Sequence, residues 1–232
     1  MKIAIVVPMA EEAEFYRHYF SSEKKEMFGS TEFEHFSVQG NDLYLGLTGI
    51  GKVQAAMNLS SLLACVKIDL VILTGSAGSL QKDVHRKDLV LPNAFAYHDA
   101  HNTSAGNYVE GQIPQEPARF LLDSPEREDF KHYLERKGVA YKEGLVVTGD
   151  SFISSQAQKA AILKNFPDAL AVEMEGAAFA QVAYHFGTPL IALRAISDNG
   201  DENADNDFVA FVKEVGAKAA ELIVDYLKEN KL

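Results

Sequence analysis

Cysteine occurs once in the 232 residues, at Cys65. A lone thiol excludes an internal disulfide framework and a zinc site built from several cysteines. Its setting, "SSLLACVKIDLVIL", predicts a buried structural thiol rather than a nucleophile. Basic residues are in the minority: 22 Lys and Arg stand against 33 Asp and Glu, a formal charge of -11. That balance argues against a nucleic-acid partner, which needs a basic face. No apolar stretch approaches the length of a bilayer span, so no membrane partner is expected. Residues 1–8, "MKIAIVVP", are too short an apolar run for a signal peptide, and charge follows at once in "AEEAEF". The expected location is therefore cytoplasmic. Nucleotide-binding loops are also missing. "TGSAG" lacks the Gly-Lys-Ser/Thr ending of a phosphate loop and does not fit G-x-G-x-x-G.

What is present is ordinary for a globular chain, 47% apolar and 24% charged. This length can bury a sizeable core. "KIAIVV", "DLYLGLT", "DLVILTG", "DLVLPNAFAY", "EGLVVTGD" and "PLIALRAIS" read as buried strands. Helical patterns cover residues 10–20, 51–65, 126–137, 156–164, 174–186 and 207–228. Strands alternating with helices predict an α/β fold with a mixed, mostly parallel sheet. No composition shift, repeat or low-complexity tract divides the chain, so residues 1–232 read as one domain. The longest irregular stretch spans residues 99–125. A second, "DNGDENADND" at residues 198–207, reads either as a solvated acidic linker or as a loop bordering a pocket at the end of the last strand.

Strand ends in an α/β protein converge on one crevice, which groups Glu11, Glu12, Ser76, Glu173, Glu175 and Asp198 as candidates for a single site. Each also has a structural reading. "TGSAG" around Ser76 and Ala77 suits a tight turn. "GIGK" suits a turn into a helix, with Lys52 solvated. Glutamates in a first helical turn are favoured by the helix dipole, and spacing does not choose among Glu11, Glu12 and Glu14 as a base. Asp198, before Asn-Gly, suits a turn; buried in a pocket, it could hold and deliver a proton. Glu173 and Glu175, two residues apart, do not share a helix face and should do different jobs. Glu175 should point into the pocket at the helix start, and Glu173 should sit in a structural hydrogen-bond network. His98, Asp99 and His101 in "YHDAHN" read as hydrogen-bonding loop residues, not metal ligands.

"MKIAIVVPMAEEAEF", "TGIGKVQAA", "TGSAGSL", "YHDA", "VTGDSFI", "FPDALAVEMEGAAFAQVAYHFGTPLIALRAISDNGDE" and "FVAFV" follow in that order. Together they resemble the 5'-methylthioadenosine/S-adenosylhomocysteine nucleosidases of the nucleoside phosphorylase superfamily, over nearly the whole chain. The resemblance implies a single α/β domain with a mixed central sheet flanked by helices, a homodimer, and no metal or organic cofactor. It implies hydrolysis of the N-glycosidic bond of adenine nucleosides carrying a 5'-thio group, with 5'-deoxyadenosine as a further candidate. By motif position, Glu12 would activate water, Glu175 would bind the ribose hydroxyls with the Met174 backbone, and Asp198 would protonate adenine N7. Phe152 would stack on the base, and the Ile153 backbone would bond its edge. Ser76 and Arg194 would line the sugar and water region. Ile50, Ala77, Gly78, Glu173, Ser197 and Phe208 would complete the substrate contacts, with Tyr108 and Pro114 reaching a partner subunit's pocket. Pro8 replaces the family's small residue, and "HNTSAGNYVEGQIP" departs from its aromatic spacing.

Two rival activities fit the same scaffold. A phosphate-dependent purine nucleoside phosphorylase needs arginines converging on an anion. Of Arg17, Arg86, Arg119 and Arg194, only Arg194 lies in a site segment. A non-catalytic nucleoside-binding protein would keep Phe152 and Glu175 without needing Glu12 or Asp198.

Overall fold

The chain order is β1 (Lys2–Val7), α1 (Ala10–Tyr19), β2 (Lys24–Phe28), β3 (Thr31–Val38), β4 (Asn41–Leu47), α2 (Lys52–Cys65), β5 (Leu70–Ser79), β6 (Leu89–Tyr97), β7 (Phe120–Leu121), α3 (Pro125–Arg136), β8 (Lys142–Thr148), α4 (Gln156–Asn165), β9 (Ala169–Glu173), α5 (Gly176–Phe186), β10 (Leu190–Asp198) and α6 (Ala204–Glu229). The structure is a computed structural model, and it describes residues 1–104 and 106–229.

The apolar runs form strands because both of their faces are covered. Side chains alternate across a strand. On β1, Ile3, Ile5 and Val7 enter one core with Leu70, Ile72, Ile191 and Leu193. Ala4 and Val6 enter the other, with Val71, Leu73, Ala192 and Ile196. The first core lies under α1, α3 and α6, which add Tyr16, Phe130, Tyr133 and Ile223. The second lies under α2 and α5, through Leu59, Leu62 and Phe179. The result is an α/β fold with a mixed central sheet flanked by helices.

The expected sheet was mostly parallel. Among the described residues it has five parallel and five antiparallel pairings. Five of the pairings close a ring: β5 with β10, β10 with β6, β6 with β8, β8 with β9, and β9 back to β5. The ring closes through a short contact, Gly78 opposite Val172 and Ser79 opposite Ala171. It gathers the ends of β5, β9 and β10 at one place.

"TGSAG" is not the expected tight turn. Strand β5 runs on through it to Ser79. Glycine serves close approach instead: a Cβ on Gly75 would press on Arg194 and come within 2.9 Å of Glu12 Oε1. Cys65 is exposed rather than buried, because it ends α2 and points off the core. Strands β2 and β3 form a hairpin at the sheet edge, and β7 adds a short strand inside the stretch expected to be irregular.

Candidate active site

A cavity of about 310 Å³ opens where these strand ends meet. Ser76, Ala77 and Gly78 of β5 form one wall. Glu173, Met174 and Glu175, at the β9–α5 junction, form a second, and Ser197 and Asp198 of β10 a third. Ile50, Phe152, Ile153 and Phe208 edge it, and Pro8 and Met9 contribute from the segment before α1. Met9, Ser151 and Val172 also line it and were not singled out in the sequence. Phe152 is 38% exposed and meets Phe208 edge-on, with ring centroids 5.6 Å apart.

Glu12 and Arg194 are not in that lining; both lie behind it, almost wholly buried. Burial resolves the choice that spacing left open, because Glu11 and Glu14 are exposed and Glu12 is not. Glu12 Oε1 accepts hydrogen bonds from the Ser76 N–H at 2.9 Å and the Ser76 hydroxyl at 3.3 Å. Its Oε2 accepts from the Met9 N–H at 3.2 Å, which closes the first turn of α1. Burial pushes the Glu12 carboxyl up to about 7, against the opposing pull of Arg194. Gly216 on α6 leaves room for it, since a Cβ there would lie 3.2 Å from Glu12 Cγ.

Asp198 is buried and combines the two readings of its sequence. Its Oδ1 accepts from the Gly200 N–H at 2.9 Å, the turn contact, and its Oδ2 accepts from the Ser197 hydroxyl at 2.8 Å. Burial raises its carboxyl above the ordinary range despite both bonds. Gly78 permits the approach, since a Cβ there would come within 2.8 Å of Oδ1. The acidic stretch after it is more than a solvated linker. Lys159 of α4 donates to the Asn199 carbonyl at 2.7 Å, and the Gln156 N–H donates to Glu202 at 3.0 Å.

The two glutamates flanking Met174 divide their work. Glu173 Oε2 accepts from the N–H groups of Glu175 at 3.1 Å and Gly176 at 2.7 Å, so Glu173 caps α5. The same carboxylate is paired with Arg194 and with the Thr148 hydroxyl. Thr148 in turn accepts from the Ala177 N–H at 2.8 Å. Sequence reading missed Thr148, although "VTGDSFI" contains it. Glu175 turns the other way: its Oε1 accepts from the Gly51 N–H at 2.9 Å, ahead of α2. Arg194 Nη2 lies 3.7 Å from Glu175 Oε2. Burial and the neighbouring Glu173 charge push the Glu175 carboxyl up to about 8.

No group of three or more His, Cys, Asp or Glu that could hold a metal ion occurs among the described residues. Burial lowers the pKa of His98; Asp99 bonds Lys52 and Asp150, and His101 pairs with Glu110. Lys52 is thus ion-paired, not simply solvated. Tyr108 and Pro114 lie outside the cavity lining. Among the described residues, no helix is long and apolar enough to cross a membrane.

The sequence profile of the Phosphorylase superfamily matches residues 2–228. A 5'-methylthioadenosine/S-adenosylhomocysteine nucleosidase of Haemophilus influenzae is 38% identical, covering 98% of this chain and 99% of its own. The Neisseria meningitidis protein of that name, solved with methylthio-immucillin-A, superposes with a TM-score of 0.93 at 37% identity, covering 99% of each chain. An S-adenosylhomocysteine nucleosidase of Streptococcus pyogenes, solved with 5-methylthiotubericidin, gives 0.93 at 33% identity, covering 100% of this chain and 98% of its own. The chain therefore belongs to the phosphorylase superfamily and, within it, to the 5'-methylthioadenosine/S-adenosylhomocysteine nucleosidases.

Proposed function

We propose that this chain hydrolyses the N-glycosidic bond of 5'-methylthioadenosine and S-adenosylhomocysteine, releasing adenine and the thioribose product. One observation carries the reading: three buried acids converge on one cavity, Glu175 and Asp198 in its wall and Glu12 one serine behind it. Breaking the bond leaves positive charge on the ribose and negative charge on the departing adenine. Asp198, whose carboxyl burial pushes up, donates to adenine N7. Glu175 receives the ribose hydroxyls beside the Met174 backbone, and its ionised form stabilises the cationic sugar. Glu12, with a pKa near 7, takes the proton of the attacking water beside Ser76. Arg194 holds the acids in place. Phe152 packs on the base, and the Ile153 backbone meets its edge. Each proton transfer is worth about 10²- to 10⁴-fold in rate.

The lining favours water over phosphate as nucleophile. It contains no Arg or Lys. Arg194 lies buried behind the lining with Nη2 paired to Glu173, and ionised Glu12 would repel an anion. The whole chain serves as one catalytic domain. A homodimer fits the apolar side chains left exposed on two helices that pack together, Val53 and Met57 on α2 and Tyr184 and Phe186 on α5. In it, Tyr108 and Pro114 would face the neighbouring subunit's pocket. Sedimentation of the purified protein checks the dimer.

The test of the acid assignments is adenine release by Glu12→Gln and Asp198→Asn. Both should still bind substrate and lose at least about 100-fold in kcat. An undiminished rate in either variant removes that residue from the mechanism.

A further inference from the structure

Helix α2 begins without a cap of its own. Its N-cap is Gly51, with φ of 96° and no side chain, and no acidic residue stands in its first turn. The free N–H groups of a helix start need acceptors, and here two carboxylates from distant parts of the chain supply them. Glu175 Oε1 takes the Gly51 N–H at 2.9 Å. Asp150 Oδ1 takes the Lys52 N–H at 2.8 Å.

Asp150 is itself held. Its own N–H donates to Asp99 Oδ2 at 3.0 Å, and the same oxygen receives the Lys52 ammonium at 2.6 Å. Lys52 Nζ lies 3.6 Å from Asp150 Oδ2 as well. Lys52, Asp99 and Asp150 therefore form a closed circuit between the start of α2, the end of β6 and the segment after β8. Burial pushes the Asp99 carboxyl up, but the Lys52 ammonium and the Asp150 N–H outweigh it and hold it below its ordinary range. Two glycines make the circuit fit. A Cβ on Gly149 would come within 3.0 Å of Asp99 Cγ, and one on Gly51 within 3.1 Å of Asp150 Oδ1.

The circuit lies outside the cavity lining, yet each of its ends leads into it. Gly51 precedes Lys52 and grips Glu175, and Ile50 lines the cavity. Ser151, Phe152 and Ile153 follow Asp150 and line it too. We propose that Lys52 and Asp99 are positioning residues for the reaction: through Asp150 they fix the turn that presents the Gly51 N–H to Glu175, and so set the carboxylate that grips the ribose. This rests on the nucleosidase reading and adds to it the residues that aim Glu175. Neither residue lines the cavity.

The test is a double-mutant cycle on kcat/KM for 5'-methylthioadenosine. Lys52→Met combined with Asp99→Ala removes the circuit and leaves the net charge unchanged. If the circuit acts through Glu175, kcat/KM falls about ten-fold in the otherwise native chain, chiefly through KM, and less than about two-fold in a Glu175→Gln background. Equal losses in the two backgrounds, or no loss in the first, overturn the inference. Lys52→Met alone provides the same comparison should the double variant fold poorly, and Lys52→Arg should recover part of the loss. An unaltered chain with no activity on 5'-methylthioadenosine sinks the nucleosidase reading and the inference with it. An active chain with additive losses sinks the inference alone.

Discussion

Among the described residues, Arg127 and Arg194 are the two bulkiest side chains with almost no exposed surface. Arg127, on α3, uses each of its nitrogens: Nε donates to the Pro92 carbonyl at 2.9 Å, Nη1 to Glu128 at 3.0 Å and Nη2 to Glu143 at 2.8 Å. Arg194, on β10, pairs through Nη2 with Glu173, while Nε and Nη1 have no hydrogen-bond partner among the described residues. Buried polar groups are normally satisfied, and the protein supplies partners for all of Arg127's nitrogens but for only one of Arg194's. The same contrast holds for the carboxylates. Burial pushes Glu143 up, but Lys131 and Arg127 outweigh it and hold it below its ordinary range. Near Arg194, burial wins, and Glu12 and Glu175 are raised. One buried arginine anchors α3 to the sheet; the other sits among acids kept in an unfavourable state.

Substitution sharpens this comparison. Arg194→Met should lower kcat/KM by about 10²- to 10³-fold, because it frees the acids it orients. Arg127→Met should leave kcat/KM unchanged but cost about 2 kcal/mol of unfolding free energy, by leaving the buried Pro92 carbonyl without its donor and Glu143 with Lys131 alone. Steady-state kinetics and urea unfolding on both variants decide it. Comparable activity losses in the two would erase the distinction.

The pH dependence of stability divides along the same line. A carboxyl with a raised folded pKa binds protons in the folded chain that it has released in the unfolded one. Glu12 and Glu175 therefore make unfolding free energy fall as pH rises from the ordinary carboxylate range to about 8. Glu143 acts oppositely: its contribution is present at neutral pH and lost as pH falls through the acid range. Urea unfolding at pH 5 and pH 8 checks the sign. Glu12→Gln and Glu175→Gln should each flatten the decline, and Glu143→Gln should not.

Two smaller effects bound the comparison. Phe152→Ala, at the cavity edge, should raise KM about ten-fold with little change in stability, since base stacking is worth about 1–3 kcal/mol. Cys65→Ser, on an exposed helix end, should shift stability by no more than about 0.5 kcal/mol.

What the sequence disclosed follows from the same physics. Strands covered on both faces, such as "KIAIVV" and "PLIALRAIS", announce themselves as apolar runs. The β2–β3 hairpin does not, because "KKEMF" is the edge strand and buries none of its residues, and "TEFEHFSV" buries polar Thr31 and Glu34 along with its phenylalanines. The ring of strands was also illegible, since it rests on the brief Gly78–Val172 contact between residues far apart in the chain. At the site, Glu173 and Glu175 do make different contacts, but not for the helix-face reason expected, since Glu173 ends β9 and Glu175 is the N-cap of α5. The choice of Glu12 over Glu11 and Glu14 could not be anticipated, because only packing against β5 and α6 buries one of the three. "TGSAG" misled for a related reason: its glycines serve the approach of Glu12, Arg194 and Asp198 to the backbone, not a turn. Cys65 misled because its neighbours are apolar while its own position on α2 faces outward.

The most direct test of the central claim is product analysis of the purified chain given 5'-methylthioadenosine with and without inorganic phosphate. Release of adenine and free methylthioribose at the same rate in both conditions is the expected result. Adenine release that requires phosphate and yields the sugar 1-phosphate would contradict it.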